Sequence, residues 1–450
     1  MKSSKKEIQL SDHFSFPRML RFTMPSILMM VISSCYSIVD GLFISNFAGS
    51  DAFAAVNLIM PVAMLISCFG FMAGMGGSAL VSKTLGEKQG DKAREQFSLI
   101  VYLIISFSVV IGIIVYLLIP TIAKLMGAEG TIYENCIIYG HILIAALPAF
   151  MLQILFQNFL VVAEQPKMGM VIAISSGVTN IALDALFVAK LRLGVGGAAM
   201  ATVMGQVVGG IVPLVYFLTR RNRLLWFTKA RFNFYTVWQV VRNGFAGFIS
   251  NASSSVLGMV FNLRLMALIG SDGVVAYGVV MYVNYIATGI FNGYSTGIAP
   301  VFSYNVGADN KDEIRSVFRQ SLAVICGFGV LLVAVALIFA REMATIFVSY
   351  DGTLMRITTE AIRLYGLSFL LCGFNIFAIA YLAALSKGVK SGILSIVRTL
   401  IFQIPCVIIL PAIIGSSGIW LSAIVAEALT LVVTIFFLKK ASYKQLTQNP

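Results

Sequence analysis

The sequence has few charged residues, few histidines and no common catalytic motif. Charged residues make up 11% of the 450 residues, whereas soluble domains carry about a quarter. The chain has two histidines and no GxSxG, HExxH or GxxxxGK[ST] motif. These absences exclude an ordinary soluble domain and indicate that the protein is not an enzyme.

The cysteines also lack a functional pattern. All six lie in or beside apolar runs, without CxxC spacing or histidine partners. We therefore expect small buried hydrophobic side chains rather than a zinc site or a disulfide framework. No resident cofactor is indicated.

Long apolar segments dominate what is present. Hydrophobic residues account for 59% of the chain, and the mean hydropathy is +0.92. A run of about 20 apolar residues can cross a bilayer as a helix, whereas barrel strands are shorter and alternate. The sequence predicts an all-α polytopic membrane protein with about twelve transmembrane helices. Their approximate positions are 24–46, 53–81, 97–119, 134–160, 168–189, 195–218, 241–268, 274–303, 318–340, 358–384, 390–413 and 417–438.

Basic residues are concentrated in alternate connections. The net charge is +13, and Lys and Arg collect in the N-terminal tail and after the even-numbered spans. Lys190, Arg192 and Arg341 are exceptions. The positive-inside rule explains this charge without nucleic acid and predicts that both termini are cytoplasmic.

The chain repeats itself at an offset of 221 residues: Gly49-Ser50-Asp51 matches Gly270-Ser271-Asp272, and Gly86 matches Gly307. Because each repeat contains six spans, both copies enter the membrane in the same direction, and a substrate site is expected between them. We predict an N-terminal six-helix lobe at 14–218 (lobe one), a cytoplasmic linker at 219–236 and a C-terminal six-helix lobe at 237–441 (lobe two). The two lobes are pseudo-symmetric.

Two predicted spans of lobe one each carry one carboxylate. Asp40 lies roughly 10 Å and Asp184 roughly 9 Å below the outer end of its helix, and Thr202 lies roughly 12 Å deep. Asn180 is four residues before Asp184 and shares its helix face. These oxygen groups suit Na⁺ or a shared proton, so we predict an ion-coupling site; the alternative is two unrelated acids satisfied by their neighbours.

The repeat makes this prediction sharper. At the same offset, lobe two has lost every member of the cluster. The counterparts of Asp40, Asn180, Asp184 and Thr202 are Phe261, Ile401, Pro405 and Ala423. A structural role would be expected to survive in both copies, so the asymmetry favours a dedicated role in lobe one.

Further polar and aromatic residues could line a substrate cavity. The candidates are Tyr36, Ser37, Tyr282, Tyr285, Asn292 and Glu427. Aromatic faces suit cationic or amphipathic ligands, although such residues also serve packing. Glu427 and Arg398 both fall near the midplane, so Glu427 either pairs with Arg398 or contacts substrate.

Several segments together resemble the multidrug and toxic compound extrusion (MATE) family, most closely its bacterial drug-efflux branch. They are IVDGLFISNFAGSDAFAAVNLIMPV, GGSALVSKTLGEKQGDKAREQF, STGIAPVFSYNVGADNKDEIRSVF, AEQPK and NIALDALFV. The resemblance covers roughly residues 14–440. It implies export of organic cations, drugs or toxic metabolites in exchange for inward Na⁺ or H⁺, by rocking of two lobes. It also implies coupling-ion roles for Asp40, Asn180, Asp184 and Thr202.

The resemblance further implies a monomer in the bacterial inner (plasma) membrane, in contact with lipid. The coupling ion, Na⁺ or H⁺, stays open. Two alternative functions also stay open: a flippase for lipid-linked precursors from the same superfamily, and a membrane assembly factor without a transport role.

Overall fold

The computed structural model describes residues 8–48, 50–219, 223–348 and 352–447. Ten of its helices are long and apolar enough to cross a membrane. Two further helix pairs are sharply bent, and counting each pair as one span gives twelve. The predicted fold class, an all-α polytopic membrane protein, is thereby confirmed.

The described residues of the first half of the chain form seven α-helices. They are α1 (Phe16–Phe43), α2 (Ser50–Gly86), α3 (Gly90–Leu125), α4 (Gly130–Ala145), α5 (Leu147–Val162), α6 (Pro166–Asp184) and α7 (Gly194–Thr219). Two π-helical turns, Ile44–Ala48 and Ala185–Lys190, follow α1 and α6.

The described part of the second half forms nine α-helices. They are α8 (Phe234–Leu268), α9 (Ser271–Gly307), α10 (Lys311–Ile338), α11 (Ala340–Val348), α12 (Gly352–Gly366), α13 (Phe369–Ala384), α14 (Gly388–Ile396), α15 (Ile404–Ile414) and α16 (Ser417–Thr447). A π-helical turn, Val397–Gln403, joins α14 to α15.

Both broken spans occur at the same place in the two halves. The axes of α4 and α5 differ by 53°, and those of α12 and α13 by 48°. Pro148 stands in the first turn of α5, where its missing N–H interrupts the hydrogen-bond ladder that would continue α4.

Helix lengths agree with the sequence repeat. Helices α2 and α9 each have 37 residues and begin at 50 and 271, at the predicted offset. Helices α6 and α14 begin at 166 and 388, so the separation there is 222. With this extra residue, the counterpart of Asp184 becomes Cys406 instead of Pro405, and neither is acidic. The exact division into lobes stays a prediction.

The described part of the linker packs against helix α3 of lobe one. We call residues 223–233 the linker strap and the end of the bundle that holds it the near end. Arg94 of α3 donates to the carbonyl oxygen of Leu224 at 3.3 Å and lies 3.5 Å from the ring centroid of Trp226. The amide of Thr228 donates to Ser98 Oγ at 2.9 Å.

The segment before α1 packs on the opposite lobe. We call residues 8–15 the N-terminal strap. The amide of Phe14 donates to Glu313 Oε1 of α10 at 2.8 Å, and Gln320 Nε2 donates to the Phe14 carbonyl at 2.9 Å. The amide of Leu10 donates to Glu164 Oε1, between α5 and α6, at 2.6 Å. This strap therefore joins both halves at the near end.

Candidate functional site

Asp40 lies in the last turn of α1 and is buried, with 6% of its surface exposed. Thr202 of α7 reaches it: the threonine Oγ1 lies 3.5 Å from Asp40 Oδ1 and also donates to the carbonyl of Ala198 at 3.0 Å. The hydroxyl is thereby held in place next to the carboxylate.

Asp184 ends α6, and Asn180 stands one helical turn earlier on the same face. Both are almost fully buried, and their side chains interact with that of Asp40. The structure thus brings together all four residues that the sequence predicted for one site: Asp40, Asn180, Asp184 and Thr202.

The hydrogen bonding within this site is incomplete. Both carboxylate oxygens of Asp184 and both polar atoms of the Asn180 amide are buried without a hydrogen-bond partner in the described structure. Buried polar groups are normally satisfied, and two neighbouring carboxylates repel each other. The arrangement therefore favours binding of a positive charge, either a proton or a hard cation with oxygen ligands.

Irregular helix geometry surrounds the acids. Asp40 stands four residues before the π-helical turn Ile44–Ala48, and Asp184 directly precedes Ala185–Lys190. The two turns contact each other. Because π-helical turns frequently occur at functional sites, this geometry supports a functional role for the two acids.

The donor set argues against a transition-metal centre. Within the described residues, no group of three or more His, Cys, Asp or Glu side chains could hold a metal ion. Two carboxylates with an amide and a hydroxyl oxygen match Na⁺ or a proton better than zinc.

Tyr139 of α4 is a buried residue near the site that the sequence did not reveal. It is fully buried and interacts electrostatically with both Asp40 and Asp184, and its hydroxyl has no hydrogen-bond partner among the described residues. Two residues further on, His141 stacks on Tyr116 with ring centroids 4.1 Å apart. In the sequence, a tyrosine in a membrane helix cannot be distinguished from one that only packs against its neighbours, so nothing indicated this position.

The predicted substrate-cavity residues lie in different surroundings. Tyr36 is half-buried, packs against Gly177 and interacts with Asp40. Tyr282 stacks on Phe347 of α11 at 5.5 Å. Tyr285 and Asn292 are both exposed and seven residues apart on α9, so they share a face. The side chain of Ser37 lies outside the described structure.

Glu427 is paired with Arg398. Its Oε1 accepts hydrogen bonds from Arg398 Nε at 2.9 Å and Nη2 at 2.7 Å, while Asn375 Nδ2 donates to Oε2 at 2.6 Å. Thr434 donates to the Asn375 side-chain oxygen at 2.7 Å. Of the two alternatives left by the sequence, the structure contains the ion pair, and contact of Glu427 with substrate stays a prediction.

Known proteins place the chain in a family. The MatE family model matches residues 25–186 and 247–409. "Multidrug export protein MepA" of Staphylococcus haemolyticus (strain JCSC1435) is 25% identical over 94% of this chain and 92% of its own length. The protein of the same description from Staphylococcus aureus (strain NCTC 8325 / PS 47) is 25% identical over 92% of this chain and 91% of its own.

Solved structures share the fold. A crystal structure of MATE in complex with MaL6 has a TM-score of 0.92 and 22% identity, covering 99% of this chain and 100% of its own. A MOP superfamily transporter from Pyrococcus furiosus has a TM-score of 0.91 and 22% identity, covering 98% of this chain and 99% of its own. An outward-facing multidrug resistance MATE family transporter matches with a TM-score of 0.92 at 22% identity, over 98% and 99% of the chains. Since the family model covers well over half of the sequence, the chain belongs to the MatE family.

Proposed function

We propose that this protein is a secondary active antiporter that exports organic cations and other drugs in exchange for inward Na⁺ or H⁺. The relatives described as multidrug export proteins match the chain over nearly its full length and support a small-molecule substrate. The antiport mechanism is our inference from the site.

The buried acid pair, in which Asp184 is unsatisfied, is the observation that carries the proposal. Asp184 offers two buried carboxylate oxygens without a donor among the described residues, beside Asp40, which is also buried. Two neighbouring buried carboxylates are costly when both are charged. Protonation or Na⁺ binding would therefore stabilise the conformation that holds them together. An ion that binds one conformation better than the other can drive a transport cycle.

The interface between the halves suggests how the cycle would run. Close glycine contacts join α2 to α8 and α9 towards the near end, around Gly76, Gly86, Gly244 and Gly307. If the near end is cytoplasmic, as the basic connections predict, this conformation is closed to the cytoplasm. We infer that ion release towards the cytoplasm accompanies separation of these contacts by rocking of the lobes.

The surroundings of the protein follow from the same proposal. We infer a bacterial plasma-membrane location with both termini cytoplasmic, a monomeric state and lipid contact along the exposed apolar helices. Lipid-linked precursors are the alternative substrates. Their pyrophosphate would require basic side chains in the cavity, and the described residues around Asp40 and Asp184 do not form a basic cluster.

The test uses Asp40→Asn and wild-type protein in sealed vesicles, with ethidium movement recorded while Na⁺ and pH gradients are imposed separately. We expect wild-type movement to follow one gradient and the variant to lose it while remaining folded by circular dichroism. Thr219→Ala, at an exposed hydroxyl that bonds only within its own helix, is the control. Equal coupled transport by Asp40→Asn would refute the proposal.

A further inference from the structure

A charged groove lies at the far end of lobe two, opposite the two straps. The short helix α11 and the start of α12 enclose about 580 Å³. Its lining includes Arg341, Arg356, Arg363, Glu360, Met355 and Leu364. Arg356 and Arg363 are seven residues apart on α12 and therefore share one face.

In the described lining of the groove, the three arginines outnumber the acidic residues. All three are exposed, and among the described residues none has a carboxylate within salt-bridge distance. Glu360, the acidic residue in the lining, accepts a hydrogen bond from Ser417 Oγ at 2.9 Å. The described lining therefore offers three guanidinium groups against one carboxylate, which gives it a net positive charge.

Lobe one differs from lobe two at the equivalent place. There α3 continues unbroken to Leu125, whereas lobe two ends α10 at Ile338 and adds the separate helix α11. At an offset of 222, Arg356 corresponds to Glu134 and Arg363 to His141. These two arginines are thus specific to lobe two, so the repeated fold does not require them.

Apolar surface adjoins the arginines. Met355 and Leu364 line the same groove, and Ile346 on α11 is 77% exposed. Helix α11 turns Ala340, Ala344 and Val348 inward, as an amphipathic helix at a membrane interface does. A ligand that fits must combine a negative group with an apolar body.

We propose that this groove binds the phosphate group of an anionic phospholipid from the adjoining leaflet. Guanidinium groups bind phosphate oxygens through paired, charge-assisted hydrogen bonds, and Arg356 and Arg363 present two of them on one helix face. Arg341 closes the opposite side, and the acyl chains follow the apolar surface of α11. The site is separate from the acid pair and does not depend on the proposed coupling.

The test is native mass spectrometry of the full-length protein in detergent. The protein is titrated with phosphatidylglycerol, phosphatidylcholine or inorganic phosphate. Wild type is compared with the double variant Arg356→Gln/Arg363→Gln and with Arg192→Gln, which removes an exposed far-end arginine outside the groove.

We expect phosphatidylglycerol to bind wild type and Arg192→Gln alike, and the double variant about tenfold more weakly, because two charge-assisted contacts are lost. Phosphatidylcholine should bind less well, since its choline brings a cation towards the arginines. Inorganic phosphate binding as strongly as the lipid, and lost in the double variant, would support the anion site but assign a soluble ligand. Equal phosphatidylglycerol binding by all three proteins would overturn the proposal.

Discussion

Gly86 of α2 and Gly307 of α9 are counterparts in the repeat, and each lies against the backbone of the other helix. A Cβ atom at Gly86 would clash with the carbonyl oxygen of Tyr304, and one at Gly307 with that of Lys83. The near-end contact between the halves therefore requires the absence of a side chain at both positions.

Substituting both glycines should separate the halves at the near end. Overpacking a close contact costs about 1–3 kcal/mol, which changes the ratio of two conformations about 5- to 150-fold. We expect Gly86→Ala/Gly307→Ala to lengthen the distance between spin labels placed at the exposed residues Lys92 and Arg319. Pulsed electron paramagnetic resonance measures the distance distribution, after replacement of the exposed Cys35 and Cys326 by serine.

Gly278→Ala is the matched control, because a Cβ there meets no atom within 4 Å. It changes a glycine of the same helix α9 without touching the interface. A distribution that is the same in the double variant, the control and the parent protein would contradict the assigned role of the glycines.

Tyr139→Phe should change ion coupling without weakening the fold. The hydroxyl has no hydrogen-bond partner in the structure, so its loss leaves no bond broken. If it helps to hold the coupling ion beside Asp40 and Asp184, the ion concentration for half-maximal export should change about tenfold. Vesicle transport and thermal unfolding measure the two effects separately.

Tyr294→Phe provides the opposite comparison. Its buried hydroxyl donates to Ser321 Oγ at 2.8 Å, so removing it should cost about 1 kcal/mol of stability and leave ion dependence unchanged. If the two variants behave alike in both assays, Tyr139 has only a packing role.

The acid site was largely predictable because depth follows from helical rise. Asp40, Asp184 and Thr202 fall at similar depths on spans of known direction, and the structure brings them together. The sequence gives no comparable rule for how far each helix is rotated about its own axis. The pairing of Glu427 with Arg398 could therefore be offered only as one of two alternatives, and Tyr139 could not be told from packing.

The straps and α11 lay beyond sequence reasoning for a different reason. Phe14 and Glu313 are 299 residues apart, and neither belongs to a periodic pattern. Helix α11 has nine residues, too few for a clear hydrophobic period, and fell between two predicted spans. Contacts of this kind depend on how the halves pack, which the repeat alone does not specify.

Glu313→Ala should release the N-terminal strap. The substitution removes the acceptor of the Phe14 amide and the partner of His13 Nδ1, which lies 2.7 Å from Glu313 Oε2. Leaving a buried amide unsatisfied costs about 1–3 kcal/mol, so amide hydrogen exchange in residues 10–14 should accelerate about 5- to 150-fold. Hydrogen–deuterium exchange mass spectrometry measures this rate.

Asp312→Ala is the control for the strap. Its carboxylate is exposed and pairs, at 3.6 Å, with the exposed Arg315 of the same helix. Exchange should stay at the wild-type rate in this variant. Unchanged protection of residues 10–14 in Glu313→Ala would show that the hydrogen bonds of Glu313 do not hold the strap.

Glu427 and Arg398 should prove strongly coupled in a double-mutant cycle. Removing one partner of a buried ion pair leaves an uncompensated charge and costs about 3–5 kcal/mol. We expect Arg398→Gln and Glu427→Gln each to lower the unfolding temperature markedly, and the double variant to lose much less than the two effects combined. Additive losses would mean that the contact contributes little.

The same cycle tests whether Glu427 contacts substrate. If the carboxylate serves only to neutralise Arg398, the double variant should export ethidium with a near-normal KM, because the charges of the pair are removed together. If the carboxylate attracts the cation directly, KM should rise in Glu427→Gln and stay raised in the double variant. Stability and KM measured on the same four proteins therefore separate an ion pair that supports lobe two from a residue that selects the substrate.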